Sequence, residues 1–246
     1  MKKIPFALHT ETFTPKDIQK VLSLAVNDKN FTGNNKGEKF LNVPVSFDIE
    51  TTSFYRDIDG ETYTYDRYIK LGGKQTKMEK CSLMYVWQFG INGYCIIGRT
   101  WEEFVTMLDS ISDILNLSEK KRIIIYVHNL AYEFQFFREL MNWAKVFSID
   151  LRKPIYGITE NGIEFRCSYL LSGYSLAKLG EQLHKYKCEK LVGDLDYSLL
   201  RHSKTPLTQK EMGYCLNDIK VVMCYIQELI EQYKNITGKQ VKNPGN

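Results

Sequence analysis

The period of apolar positions changes several times along the chain, and each change marks an element. From Lys16 to Val26 the apolar residues Ile18, Val21, Leu22 and Ala25 recur at three-and-four spacing, which predicts a helix with one buried stripe. A polar loop, Asn27 to Lys39, follows, with Thr32-Gly33 and Lys36-Gly37 as turn signals. Val43 to Glu50 reads as a strand. Thr51 to Lys80 is polar and tyrosine-rich, with Asp59-Gly60 and Gly72-Gly73, and reads as an insertion containing a short hairpin. Ser82 to Ile91 and Tyr94 to Gly98 flank Asn92-Gly93, a hairpin signal because a tight turn needs positive φ at both central positions.

Thr100 can cap a helix with Glu103 at its capping-box position and Phe104, Leu108, Ile111 and Leu115 on one side. Arg122 to Val127 is a short apolar run of the kind found in a strand covered on both faces. Leu130 to Trp143 reads as a helix, and Glu160-Asn161-Gly162 joins Ile155–Ile158 to Ile163–Ser168 as a second hairpin. Ser175 to His184 and Thr208 to Lys234 read as helices, and Gly238 to Asn246 as a linker-like tail.

Strands followed by strands alternating with helices predict an α/β protein, a mixed sheet flanked by helices with a β-rich insertion. Length, 246 residues, suits one well-buried domain. The expected organisation is an N-terminal extension at 1–42 packed on the core, the main domain at 43–236 with its insertion at 53–80, and a tail at 237–246. The mean hydropathy of -0.32 and the lack of an apolar run near the ~18 residues of a membrane span argue against a membrane protein. The N-terminus breaks into His9-Thr10-Glu11 and has no signal-peptide core, so a cytoplasmic location is expected. Six cysteines without CxxC or Cys/His zinc spacing read as buried thiols. A net charge of +4 permits a polyanionic partner without demanding one.

The chemistry lies in the carboxylates. Asp48 and Glu50, two apart in FDIETT, share one face of a strand, and like charges side by side repel unless something positive lies between them. Alone the pair is weak evidence, since such pairs occur on solvated strand ends. Two further clusters change the balance. Asn129 and Glu133 stand one helical turn apart, as do Tyr214 and Asp218. Four carboxylates, Asp48, Glu50, Glu133 and Asp218, thus come from three separate elements that a mixed sheet can bring together. All-oxygen ligation suits magnesium or manganese rather than zinc. Two such ions can stabilise the attacking and leaving oxygens of a phosphoryl displacement.

FDIET (Phe47–Thr51), YVHNLAYEFQFF (Tyr126–Phe137) and YCLND (Tyr214–Asp218) resemble the three exonuclease motifs of family-B DNA polymerases, in the order of the protein-primed branch of bacteriophages and linear plasmids. Ser175-Leu176-Ala177-Lys178-Leu179 and Gly193-Asp194-Leu195-Asp196-Tyr197 match two further motifs of that branch, so the resemblance runs from about Val43 to Gln232. It implies a ribonuclease-H-like fold and a 3′→5′ proofreading exonuclease of the DEDD type, tyrosine subtype. Asp48, Glu50, Glu133 and Asp218 would hold two Mg2+ or Mn2+ ions, and Tyr214 would orient the attacking water. Thr51, Tyr126, His128, Asn129, Tyr132, Ser175 and Leu176 would contact a single-stranded DNA 3′ end. The partners implied are that DNA end and a terminal protein or polymerase domains, and the location the cytoplasm of a bacterial host.

Two departures stand out. Glu133 replaces the usual Asp, and Val192 replaces a lysine, leaving Lys190 as the candidate phosphate contact. Motifs of a polymerase palm do not occur in the chain, so polymerisation is not expected. The alternatives are a catalytically weak module that binds single strands or a partner, and an exoribonuclease. Most aromatics, among them Phe104, Phe134 and Trp143, sit at core-like positions, and His184 and His202 have no partner pattern. Lys70, Lys74, Lys77 and Lys80 are candidate backbone contacts on an exposed loop.

Overall fold

The computed structural model describes residues 7–8, 14–150, 152–188, 191, 195–196 and 199–237. The strands are β1 (Ala7–Leu8), β2 (Phe31–Gly33), β3 (Lys39–Leu41), β4 (Val45–Arg56), β5 (Thr62–Tyr63), β6 (Glu79–Ile91), β7 (Tyr94–Gly98), β8 (Lys121–Val127), β9 (Trp143–Ser148), β10 (Pro154–Thr159) and β11 (Ile163–Cys167). The helices are α1 (Pro15–Ala25), α2 (Tyr65–Lys70), α3 (Trp101–Leu115), α4 (Leu130–Phe137), α5 (Ser168–Ser172), α6 (Leu176–Gln182) and α7 (Gln209–Thr237). The sheet runs β1-β7-β6-β4-β8-β11-β10-β9, with β3 also on β8 and β5 on β4. It is mixed: β4 and β11 lie parallel to β8, while β6 lies antiparallel to β4.

Alternation along β4 decides what each face carries. Phe47 and Ile49 point into the main core, where Phe47 stacks on Phe104 of α3 at 4.5 Å and meets Phe137 and Phe165 edge-on. Ile123, Ile125 and Val127 of β8 join them, and α1 contributes its predicted stripe of Ile18, Val21, Leu22 and Ala25. On the opposite face α7 covers the sheet, with Val222 and Ile226 against Ile124 and Tyr126. Thr100 and Glu103 form the predicted capping box, each accepting from the other's backbone N–H. The Asn92-Gly93 turn has φ of 47° and 91°, both left-handed as its chemistry requires.

Three elements differ from the sequence reading. The strand carrying Asp48 runs on to Arg56 and pairs back to Glu79, so much of the polar stretch is a long ribbon, with α2 and the exposed Lys70, Lys74, Lys77 and Lys80 around its tip. The expected helix from Leu130 stops at Phe137. A 3-10 turn, Arg138–Leu140, follows, and Trp143 opens the edge strand β9 with its ring against Phe134 and Phe165 and its Nε1 donating to the Arg138 carbonyl. Burial of that indole decides the break, which helical spacing alone does not reveal. All six cysteines are thiols, and five are buried. No helix among the described residues is long and apolar enough to cross a membrane.

Candidate active site

Asp48 and Glu50 project from β4 towards α7, where Asp218 meets them. One carboxylate oxygen from each lies within 4.8 Å of the others. Glu50 and Asp218 are buried, and Asp48 is half-buried. A bulge between Glu50 and Thr51 gives β6 an extra residue, Tyr85, beside the pair. Such a bulge re-aims side chains where a regular ladder would hold them straight.

Glu133, from the first turn of α4, is 4 % exposed and lies against Asp48. Burial first, and the Asp48 charge second, hold its carboxyl well above the ordinary carboxylate range. Its Oε2 is buried without a hydrogen-bond partner. Buried like charges and an orphaned acceptor are costly unless a cation satisfies them, and four carboxylates with no thiol or imidazole among them suit a hard divalent ion. Burial, followed by the Glu50 and Asp48 charges, pushes the thiol of Cys215, one turn before Ile219 on α7, far up.

A pocket of about 140 Å³ opens beside the acids, lined by Asp48, His128, Leu176, Asp218 and Val222. His128 Nδ1 lies 3.1 Å from Ser168 Oγ, which fixes the ring at the pocket wall. Asn129 is exposed in a left-handed conformation, φ 71°, at the turn from β8 into α4. Tyr132, 42 % exposed, joins its hydroxyl to Thr51 Oγ1 at 2.6 Å, with Phe136 edge-on at 5.3 Å. Of these, His128 lines the acidic pocket, and Thr51, next to Glu50 on β4, ties Tyr132 to the strand that carries the acids.

Other expected residues lie elsewhere. Tyr126 is 1 % exposed, beneath the pocket in the cluster with Val222 and Ile226. Ser175 caps α6, accepting from the Lys178 N–H at 3.4 Å. Tyr214, 6 % exposed, stands one turn before Asp218, with its ring in an apolar cluster beside Tyr85 and Leu195 rather than on the pocket lining. Lys190, Val192 and most of the Gly193–Tyr197 motif lie outside the described residues.

Two residues escaped the sequence reading. Gln88, wholly buried, faces Asp48 across the β4–β6 ladder, and its Nε2 donates to Asp48 Oδ2 at 3.2 Å. A lone amide in the apolar run Met84 to Ile91 is the signal that could have found it. Arg201, 4 % exposed, pairs with Glu211 at 2.7 Å, donates to the Asp196 carbonyl and, through its own N–H, to Thr52 Oγ1. It ties the segment after α6 to the strand that carries the acids, and no local pattern announces it.

The fold is ribonuclease-H-like: a mixed sheet flanked by helices, with the acids where the central strand meets the last long helix. Phi29 DNA polymerase bound to primer-template DNA and incoming nucleotides is similar over 80% of this chain and 32% of that one, at 14% identity and a TM-score of 0.54. Its binary complex with primer-template DNA is similar over 83% of this chain and 33% of that one, at 15% identity and a TM-score of 0.53. Its complex with single-stranded DNA gives 80% and 32%, at 15% identity and a TM-score of 0.50. The chain thus spans about a third of the polymerase it resembles. No protein-family profile matches the chain, and no curated protein matches it by sequence.

Proposed function

We propose that this chain is a metal-dependent 3′→5′ exonuclease acting on single-stranded or frayed DNA ends, of the DEDD type with Tyr214 as its tyrosine. The observation that carries the reading is the convergence of Asp48, Glu50 and Asp218, with Glu133 against Asp48, beside a pocket lined by His128 and Leu176. The similarity to Phi29 DNA polymerase, solved with single-stranded DNA, supports the choice of substrate.

In this reading Asp48, Glu50, Glu133 and Asp218 hold two Mg2+ or Mn2+ ions. Bound there, the ions would activate water and stabilise charge on the oxygens of the scissile phosphate. The chain's own residues do the positioning. Tyr132 offers its exposed ring to the terminal base, and Asn129 offers an amide to sugar or phosphate. Leu176 and His128 wall the pocket so that the last phosphodiester meets the acids. Water adds to phosphorus, the bond to the 3′ oxygen breaks, and a nucleoside 5′-monophosphate leaves. Tyr214, one turn before Asp218 on α7, is the candidate for orienting that water, and Lys190 the candidate phosphate contact.

A time course on 5′-labelled single-stranded DNA with magnesium, manganese or chelator tests the proposal, with the Asp48→Ala/Glu50→Ala variant alongside. The expected result is a ladder shortening from the 3′ end that chelator and variant both abolish. Retained binding with no shortening in either metal would replace the enzyme with a single-strand-binding module. Preference for a matched RNA would make it an exoribonuclease.

A further inference from the structure

A cleft of about 710 Å³ lies away from the acids but on the same face of the sheet. Strand register shows this. Ser46 pairs with Tyr126, Tyr126 with Arg166, Arg166 with Tyr156, and Tyr156 with Phe147, so this row crosses β4, β8, β11, β10 and β9 on the face that carries Asp48. Three interstrand spacings and two residues along the strand separate Tyr156 from Asp48, about 15 Å. Between them lies α5, with the exposed Tyr169 edge-on to His128 and the exposed Leu170 on the cleft wall.

The cleft floor is built and rigid. Glu164, 1 % exposed, is held by Arg166 at 2.6 Å and Arg122 at 2.9 Å, and Arg122 also binds Glu38 at 2.8 Å. Those charges neutralise one another. Around that floor the cleft carries the exposed Lys36 and Lys145, which outnumber the exposed Glu119, and the half-buried Tyr156, whose ring stacks on the neighbouring half-exposed Phe147 at 5.6 Å. The Lys145 ammonium lies 5.5 Å from the Tyr156 ring centre. Ammonium groups beside a partly exposed aromatic stack form the pairing that holds phosphates and bases of an unpaired strand.

We infer that this cleft is a second nucleic-acid subsite, which takes the upstream part of the single strand whose 3′ end occupies the acidic pocket. The inference rests on the exonuclease reading for its substrate. Lys36 and Lys145 contact phosphates, Tyr156 and Phe147 stack a base, and the strand passes over Tyr169 and Leu170. Short oligonucleotides then reach only the acidic pocket, while longer ones gain the cleft.

Competition binding in chelator tests this, with unlabelled oligothymidylates of three and ten nucleotides displacing a labelled decamer. Two variants are compared with the unaltered protein: Lys145→Ala/Tyr156→Leu, and Lys36→Glu/Lys145→Glu, which alters exposed side chains only. The decamer is expected to bind more tightly than the trimer, and to weaken about fivefold or more in each variant, on the scale of one lost base stack. Trimer affinity should not change. Equal affinity for trimer and decamer, or a decamer affinity unchanged in both variants, would overturn the inference and leave this face to a protein partner. Shortening of the trimer in manganese, measured separately, judges the exonuclease reading. Its loss would not alter the length comparison.

Discussion

Gln88 and Asp48 face each other across the antiparallel ladder of β4 and β6, and the buried Gln88 amide donates to the Asp48 carboxylate at 3.2 Å. An amide here holds one oxygen of an acid that also meets Glu50, Asp218 and Glu133. Gln88→Leu keeps the volume and removes the donor. It is expected to weaken the apparent magnesium affinity about 10- to 100-fold, as the loss of a group orienting a metal ligand does. Activity titrated against magnesium measures this, and an unchanged midpoint would show that Asp48 needs no support.

Glu133 makes a pH-dependent contribution to the metal-free protein. Its carboxyl is held well above its ordinary 4.5 by burial and by Asp48, so the folded protein keeps a proton that the unfolded chain releases. Stability without metal should therefore fall as pH rises above about 4.5, because the unfolded state then binds fewer protons. Glu133→Gln is expected to remove that slope and to raise the melting temperature in chelator at neutral pH. Magnesium should stabilise the unaltered protein more than the variant. Thermal melts across pH, with and without magnesium, give both comparisons.

The Thr51–Tyr132 hydrogen bond, 2.6 Å, holds an exposed ring beside the strand that carries the acids. Thr51→Val and Tyr132→Phe each remove it. Each should raise KM for single-stranded DNA about 2- to 10-fold, the worth of one hydrogen bond, with little change in kcat. The double variant should match either single one, since both delete the same contact. Additive effects would mean that the two groups meet DNA independently.

Arg201 and Glu211 form a pair whose side chains are 5% and 14% exposed. Breaking such a pair strands a buried charge. Arg201→Met should cost about 3–5 kcal/mol of stability, whereas Arg201→Met/Glu211→Leu should recover most of it. Urea unfolding of the three proteins decides the matter. Equal stability of the single and double variants would show that the cost lies in the Asp196 contact instead.

Much of the molecule is determined by the sequence alone. The stripe of α1, the capping box at Thr100 and the Asn92-Gly93 turn all follow from spacings of a few residues. So does the shared direction of Asp48 and Glu50, because side chains alternate along any strand. These features need only covalent geometry and neighbours near in sequence. The tertiary structure decided the rest. That Asp218 arrives from α7 beside β4, that Gln88 faces Asp48, and that Tyr126 lies under the pocket depend on which strands pair and which helix covers them. The end of α4 at Phe137 and the strand at Trp143 arise from an indole finding a distant core. The cleft over Arg166 and Tyr156 exists because β9 extends the sheet where α7 does not reach. Local spacing specifies which face a residue takes, and only long-range packing specifies what that face meets.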